Sequence, residues 1–358
     1  MKSHDQLLES IQRFQDKFWN RKSGGRPPVG IYDEETSLPI GFLRQPFTRS
    51  TVCPEDLNAD FVATEYECSF SRKSVLADDY MAYSAPWRGI PWLEAACGCP
   101  VRYSEGSLAP GHIADSAEAL AELKFPASDA WLDCMRRETE RIASAVEPDC
   151  WVSPSILRGP SDALAALRGM TGFFMDLHDN PGAVETAARR ANDVLMRLLD
   201  LHYSIVPPKM GGYGQFFGYW APGKTAMLQE DALGMVSPAV YRDIFMPLNA
   251  AIVKQLGSHV LFHFHSTGFK HYADVMEIPG LAGVEMSMET IGPGLLEMVP
   301  VFQWILERTR LLLQVCSGYE HLAETLRKIP HEGLYVIIPS KFIPTDQAYC
   351  EFVAANFG

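Results

Sequence analysis

The sequence predicts an α/β protein built as a TIM (β/α)8 barrel with an N-terminal helical and irregular extension. Three observations carry this prediction. Short apolar runs of four to seven residues alternate with helical segments of ten to twenty, which is typical of parallel βα units. Five such units follow one another in the C-terminal two thirds. No GxGxxG sequence follows the first strand, which disfavours a dinucleotide-binding sheet. Residues 1–358 are expected to form a single barrel domain.

The first predicted element is an amphipathic helix within residues 1–25. Apolar side chains from Leu7 to Phe18 recur at helical spacing, and a Ser-Gly-Gly sequence ends the helix. An apolar run over 29–32 predicts the first strand. Residues 33–117 are rich in proline and aromatic side chains, and we expect them to form an irregular rim or insertions beside an active site.

Regular βα units are predicted over 118–358. Ser237 and Pro238 provide a helix N-cap followed by proline at the first helical position. In a barrel, ligands bind at the carboxyl ends of the strands, so polar residues at those ends are the site candidates. The predicted strands are 150–153, 225–228, 259–264, 281–286, 310–316 and 334–339, and the predicted helices are 128–146, 161–168, 182–201, 237–257, 270–277, 294–308, 320–328 and 345–356.

Composition and charge limit the classes of partner. The chain has 31 Lys and Arg against 44 Asp and Glu, a net charge of −13, which argues against nucleic acid or a membrane surface as partner. No apolar run approaches the ~20 residues that span a bilayer, and the N-terminus lacks the apolar core of a signal peptide. The eight cysteines have neither disulfide-framework nor zinc-finger spacing. We therefore expect a cytoplasmic protein that acts on a small molecule.

Histidines and carboxylates follow two successive predicted strands. His263 and His265 are two residues apart, so both side chains point to the same side of an extended strand, and the same holds for Glu285, Ser287 and Glu289. Imidazoles and carboxylates that converge at a barrel mouth predict either a general acid–base pair or a metal site. Alternatively, these side chains hydrogen-bond loop backbone and each other. The candidate metal ligands are His263, His265, Glu285 and Cys316.

Two further strand ends complete the candidate catalytic set. The strand over 225–228 is followed by Gln229 and Asp231, a candidate substrate ligand and a candidate catalytic acid. Asp231 could instead cap the next helix. Lys341 follows the apolar run 334–339, where a lysine suits a carboxylate or phosphate group of a ligand, or reaches solvent.

An aromatic segment over 213–220 is the candidate pocket wall or lid. It contains five aromatic residues and two glycines, which is more than a core strand needs. We expect it to contact the substrate together with Gln229, Glu285 and Glu289. The aromatic side chains expected to do so are Tyr213, Phe217, Tyr219 and Trp220.

Several segments, taken in their order and spacing, resemble the uroporphyrinogen decarboxylase superfamily, which includes corrinoid-dependent methyltransferases. The resemblance implies a TIM barrel and a homodimer. It also implies a corrinoid (cobalamin) on a partner protein as methyl acceptor. The resembling segments extend over most of the chain and comprise 26–29, 89–101, 167–185, 228–252, 259–268, 311–322 and 336–346.

Two positions depart from the zinc-binding pattern of that superfamily. Its zinc methyltransferases hold the metal with one His and two Cys. Here His265 matches the His, whereas Thr267 and Lys341 occupy the Cys positions. A zinc site would need replacement ligands from His263, Glu285, Glu289 or Cys316. The arginine-rich substrate segment of the decarboxylase itself is matched poorly by residues 41–46.

Three functional hypotheses follow. The first is transfer of a methyl group from a small methylated substrate to a corrinoid, in which His263 and His265 bind a metal or protonate the leaving group and Lys341 holds an anionic end. The second is a decarboxylase without cofactor, in which Lys341 and Asp231 stabilise and protonate the carbanion left by CO₂. The third is a binding barrel without catalysis.

Overall fold

The computed structural model describes most of the chain, and the gaps fall mainly in the rim predicted over 33–117. The segment 41–46, which matches the arginine-rich segment of the decarboxylase only poorly, lies outside the described residues. The described residues are 2–33, 47, 49–60, 63, 75–86, 89–104, 107–124, 129–257 and 259–358.

The described strands and helices alternate along the C-terminal part of the chain as predicted. The strands are β1 (Val29–Tyr32), β2 (Thr51–Val52), β3 (Tyr83–Ser84), β4 (Val101–Ser104), β5 (Ser107–Pro110), β6 (Trp151–Val152), β7 (Tyr213–Gln215), β8 (Tyr219–Ala221), β9 (Met227–Gln229), β10 (Leu261–Phe264), β11 (Gly283–Met288), β12 (Arg310–Val315) and β13 (Leu334–Pro339). The α-helices are His4–Arg13, Trp92–Ala96, Ala117–Glu122, Asp129–Ala145, Pro160–Arg168, Met170–Asp179, Pro181–Ile205, Pro238–Val240, Met246–Leu256, Tyr272–Val275, Val299–Arg308, Leu322–Lys328 and Asp346–Phe357.

The centre of the fold is a parallel sheet of six strands in the order β1-β13-β12-β11-β10-β9. A second parallel pair joins β3 to β6. Backbone hydrogen bonds connect the surroundings of the two sheets, from Asp79 N–H to Val29 O (2.7 Å) and from Gly159 N–H to Gln229 O (2.6 Å). Within the described residues the ladder itself does not close into a ring. The architecture is therefore a mixed α/β fold with a mostly parallel central sheet, consistent with a TIM-like fold.

Side chains along the central strands alternate between two apolar clusters, as the period of two requires. In β13, Leu334, Val336 and Ile338 belong to the larger cluster, which contains the apolar faces of the helices. Tyr335 and Ile337 belong to the smaller cluster, which contains the aromatic side chains of the N-terminal segment. Both faces of the sheet are thus covered, which explains why most residues of its strands are apolar.

The N-terminal extension covers the amino ends of the strands. The first helix continues as a π-helix over Phe14–Trp19. Phe14 packs edge-on against the ring of Tyr335 at 4.9 Å. Arg310, the first residue of β12, donates hydrogen bonds to the carbonyl oxygens of Phe18 and Trp19. Because the extension occupies this end, the carboxyl ends of the strands are the end where a site can form.

Several details differ from the sequence prediction, and the helix Met170–Asp179 and the β7–β8 hairpin are additional to it. The helix predicted over 237–257 contains a π-helical turn over Tyr241–Phe245, because Pro247 has no N–H to donate to the carbonyl four residues earlier. β11 begins at Gly283, two residues later than predicted. Part of the segment predicted as irregular forms a small antiparallel sheet of β2, β4 and β5. Among the described residues, no helix has both the length and the apolar character that crossing a membrane requires.

Candidate active site

Strand register brings the polar strand ends together. His263 in β10 pairs with Gln229 in β9 on one side and with Glu285 in β11 on the other. Asp231 and His265 follow two residues after Gln229 and His263, at the carboxyl ends of the same strands. Neighbouring parallel strands therefore deliver two imidazoles and two carboxylates to one edge of the sheet.

The two imidazoles meet through their Nε2 atoms, which are 3.2 Å apart. His265 Nε2 also lies 3.5 Å from Asp231 Oδ1. The ligand atoms of these three residues all lie within 4.8 Å of one another. The two Nδ1 atoms point away from this centre, that of His263 to Glu285 and that of His265 to Glu289 Oε1 at 2.9 Å. Each histidine thus has one nitrogen bound to a carboxylate and one directed to a common point.

Burial divides this group into an inner and an outer half. Glu285 is fully buried and the His263 side chain is 6% exposed, whereas His265 and Glu289 are 37% and 38% exposed. Burial by itself lowers the pKa of His263. The charge and hydrogen bond of Glu285, with Asp231 and Glu289 further away, outweigh burial and raise that pKa above its usual value. The inner half therefore favours a positive charge on or beside His263.

Asp231 is held from two directions. The Gln229 amide nitrogen lies 3.0 and 2.9 Å from its two carboxylate oxygens. The Asp162 carboxylate accepts hydrogen bonds from the backbone N–H groups of Asp231 and Ala232, both at 2.8 Å. Burial, together with the negative charges of Asp231 and Glu230, raises the pKa of Asp162 well above its usual range. Asp231 is therefore positioned for the centre and is more than a helix cap.

A cavity of about 320 Å³ opens in front of the histidines. Aromatic and aliphatic side chains make up its walls, and a few polar groups converge on it, as in sites for small molecules. Its lining residues are Tyr32, Tyr80, Ile156, Phe216, Phe217, His263, His265, Ser287, Glu289, Gln314, Cys316, Ile337, Pro339 and Lys341.

Only part of the aromatic segment 213–220 faces this cavity. The Phe217 ring lies 5.4 Å from the His263 ring, and Phe216 is beside it. The rest of the segment forms the strands of the β7–β8 hairpin. Tyr219 and Trp220 belong to the smaller apolar cluster, and Tyr213 packs against the larger one. The expectation that the other aromatic residues contact a substrate is corrected accordingly, because the structure places three of them outside the lining: Tyr213, Tyr219 and Trp220.

The hairpin turn that carries Phe217 is held by a buried tyrosine. The Tyr335 hydroxyl lies 3.1 Å from Gly218 O and 3.3 Å from Phe217 O. Gly218 has a φ of +64°, and a Cβ there would lie 2.5 Å from the Tyr80 ring. Only glycine fits this position, both for its conformation and for its space.

The ligand set predicted from the sequence also changes. The oxygens of Glu285 are bound to His263 Nδ1 and to Ser287 Oγ, so Glu285 supports a histidine and does not line the cavity. Cys316 lines the cavity but is not in the close group of ligand atoms, which Asp231 completes. The His-Cys-Cys zinc pattern does not fit this chain, because Thr267 and Lys341 offer no thiolate.

Lys341 brings a positive charge to the cavity. Its ammonium lies 5.1 Å from the Phe342 ring centroid. Among the described residues, no carboxylate is within ion-pair distance of it. An anionic group of a ligand could therefore pair with Lys341 without displacing a protein carboxylate.

Eight of the fourteen lining residues were not among the predicted site residues. Three of the eight, Ser287, Ile337 and Pro339, belong to β11 and β13. Tyr32 and Gln314 stand at the ends of β1 and β12, so the strand-end rule could have found them. Phe216 belongs to the aromatic segment already singled out. Tyr80 and Ile156 come from connecting segments that show no periodic pattern.

Comparison with known proteins identifies a shared fold. No protein-family model and no curated protein sequence matches the chain. A methyltransferase from Methanosarcina mazei has a similar structure, with a TM-score of 0.57 over 92% of each chain and 14% sequence identity. At this identity the similarity shows the fold alone.

Proposed function

We propose that the protein is a methyltransferase-class enzyme that takes a methyl group from a small methylated substrate bound in the cavity. The observation that carries the proposal is the convergence of His263 Nε2, His265 Nε2 and the Asp231 carboxylate beside an aromatic-walled cavity. The fold shared with the M. mazei methyltransferase supports it, as does the sequence resemblance to the uroporphyrinogen decarboxylase superfamily. We interpret the six-stranded sheet and the parallel pair as the eight strands of one barrel of that superfamily.

The centre can activate the leaving heteroatom. Methyl transfer breaks the bond from the methyl carbon to a sulfur, oxygen or nitrogen atom, and the bonding electron pair stays on that heteroatom. An acid beside it lowers the barrier by neutralising the developing negative charge. His263 and His265 are the groups available to supply this acid. The methyl group passes to a nucleophilic acceptor, for which we propose a reduced corrinoid carried by a partner protein.

The cavity also indicates the shape of the substrate. His263 and His265 come from β10 and Lys341 follows β13, and β11 and β12 lie between these two strands in the sheet. Phe217 and Tyr32 are among the aromatic walls. A matching substrate has a methylated heteroatom and a separate anionic group joined by a short apolar or aromatic body. Desolvated aromatic walls strengthen both polar interactions.

A panel of paired donors tests the proposal. Methyl thioethers, aryl methyl ethers and methylamines, each with and without a carboxylate, are incubated with the protein and cob(I)alamin, and loss of the Co(I) absorbance is followed. We expect the protein to demethylate at least one carboxylated donor, and the matching donor without the carboxylate to react more slowly. The variant His265→Ala should show no demethylation. Tyr213→Phe, outside the cavity, is the control that keeps activity. No demethylation with any donor would contradict the proposal.

Decarboxylation without a cofactor is the second candidate, and Lys341 is the observation that favours it. Its ammonium has no carboxylate partner among the described residues and could stabilise a carbanion, which Asp231 could then protonate. Release of CO₂ from the carboxylated members of the same panel, retained in the presence of chelator and lost in Lys341→Met, would favour this reaction over methyl transfer.

A further inference from the structure

The two Nε2 atoms of the histidine pair are close enough to share a cation. In each ring Nδ1 faces a carboxylate, Glu285 or Glu289, and a carboxylate can only accept, so the ring proton of a neutral imidazole lies on Nδ1. Both Nε2 atoms then present lone pairs to each other across 3.2 Å. Two lone pairs at that distance repel unless a proton or a metal ion lies between them.

Two of the three distances between donor atoms match a metal ion, and all three are within 4.8 Å. At metal–nitrogen distances of about 2.0–2.1 Å and tetrahedral angles, neighbouring ligand atoms lie about 3.3–3.4 Å apart. His263 Nε2 and His265 Nε2 are 3.2 Å apart, and His265 Nε2 and Asp231 Oδ1 are 3.5 Å apart. Gln229 engages the Asp231 carboxylate, but each oxygen retains a lone pair for a second interaction.

The outer layer of the site is an independent observation. In histidines that bind metals, the other ring N–H generally donates a hydrogen bond to a carboxylate or carbonyl, which sets the tautomer and the ring orientation. Here both histidines do so, and the inner carboxylate is itself hydrogen-bonded by Ser287 Oγ at 2.9 Å. The two carboxylates thus orient both rings so that their Nε2 atoms face each other.

We propose that Asp231, His263 and His265 form a mononuclear site for a divalent transition-metal cation, a ligand set that shares only His265 with the zinc pattern of the superfamily that the sequence resembles. Two imidazoles and one carboxylate suit Zn²⁺, Co²⁺ or Fe²⁺, whereas Mg²⁺ and Ca²⁺ prefer oxygen ligands alone. Three protein ligands leave positions open for a substrate heteroatom. This inference rests on the proposed function, because the bound metal would be the acid that activates the substrate heteroatom. Metal binding itself can be tested without measuring activity.

Direct metal binding is the test. The full chain, stripped with a chelator and kept anaerobic, is titrated with Co²⁺, which gives visible absorption bands when bound by nitrogen and oxygen ligands, and Zn²⁺ is then used to displace it. We expect one ion per chain by plasma mass spectrometry. His265→Ala and Asp231→Asn should each weaken binding by more than about 100-fold, beyond the 10–100-fold typical of outer-layer changes. These two side chains are partly exposed, so the variants should fold, which circular dichroism checks.

Cys316→Ser is the matched control, because Cys316 lines the same cavity outside the proposed ligand set. It should bind Co²⁺ as the wild type does. Absence of saturable Co²⁺ and Zn²⁺ binding by the folded wild type would overturn the site, and so would unchanged binding by both ligand variants. A folded wild type that binds no metal but demethylates donors overturns the site and keeps the proposed function. A wild type that binds metal but demethylates no donor keeps the site and contradicts the proposed function.

Discussion

Replacing Glu285 by glutamine measures what the buried carboxylate contributes to the two-histidine centre. Glu285 is fully buried and binds His263 Nδ1 with one oxygen and Ser287 Oγ with the other. Glutamine has the same shape, and its oxygen can still accept from Nδ1. The substitution therefore removes the charge and leaves the packing in place.

The expected magnitude follows from the loss of that charge. A hydrogen bond to a charged group contributes about 1.5–3 kcal/mol and one between neutral groups about 0.5–1.5 kcal/mol. The difference of about 1–1.5 kcal/mol corresponds to a metal affinity about tenfold weaker. Glu289 makes the equivalent bond to His265, but its side chain is 38% exposed, so water can replace it. For Glu289→Gln we expect a loss of about twofold.

The assay is competition for Zn²⁺ between each variant and a chromophoric chelator at pH 7.5. Thermal denaturation of the metal-free proteins provides the control for folding. An unchanged affinity in Glu285→Gln would refute the role assigned to this carboxylate. Equal losses in the two variants would refute the argument from burial.

Three further predictions concern stability and specificity. Burial lowers the pKa of His202 to about 3, so the unfolded chain gains a proton below about pH 6.5 that the folded chain does not. The free energy of unfolding should therefore decrease by on the order of 5 kcal/mol between pH 6.5 and 3 because of this group. Urea unfolding of His202→Gln over the same pH range should lack this decrease. Gly218→Ala should cost about 2–5 kcal/mol, from its left-handed backbone and contact with Tyr80, and lower the melting temperature by about 3–7 °C. Gly211→Ala, with open space around it, should cost only the smaller backbone part. Lys341→Met should raise KM for carboxylated donors about tenfold or more and leave neutral donors unchanged, whereas an equal effect on both would remove Lys341 from substrate recognition.

Local pattern was sufficient for most of the elements. β13 was predicted at its observed bounds, because an apolar run between polar neighbours is a signal carried by adjacent residues. The shared side of His263 and His265 follows from the two-residue period of a strand, and the structure has their Nε2 atoms 3.2 Å apart. Strand-end position likewise singled out Asp231, Glu289 and Lys341 before any contact was known.

Partners that lie far apart along the chain were decided by tertiary structure. Glu285 turns to His263 and Asp231 takes the place beside His265, because the register of β9, β10 and β11 sets which strand ends are neighbours. That register depends on packing of the whole sheet, which no single segment encodes. The hairpin around Gly218 depends on distant contacts in the same way, since it is buried against Tyr335. Phe216 and Phe217 at its turn line the cavity, whereas the other aromatic residues of the segment do not. The sequence pattern specifies the βα order and the residue types at the strand ends. Which of those residues meet depends on the packed sheet, because register and burial are properties of contacts between distant segments.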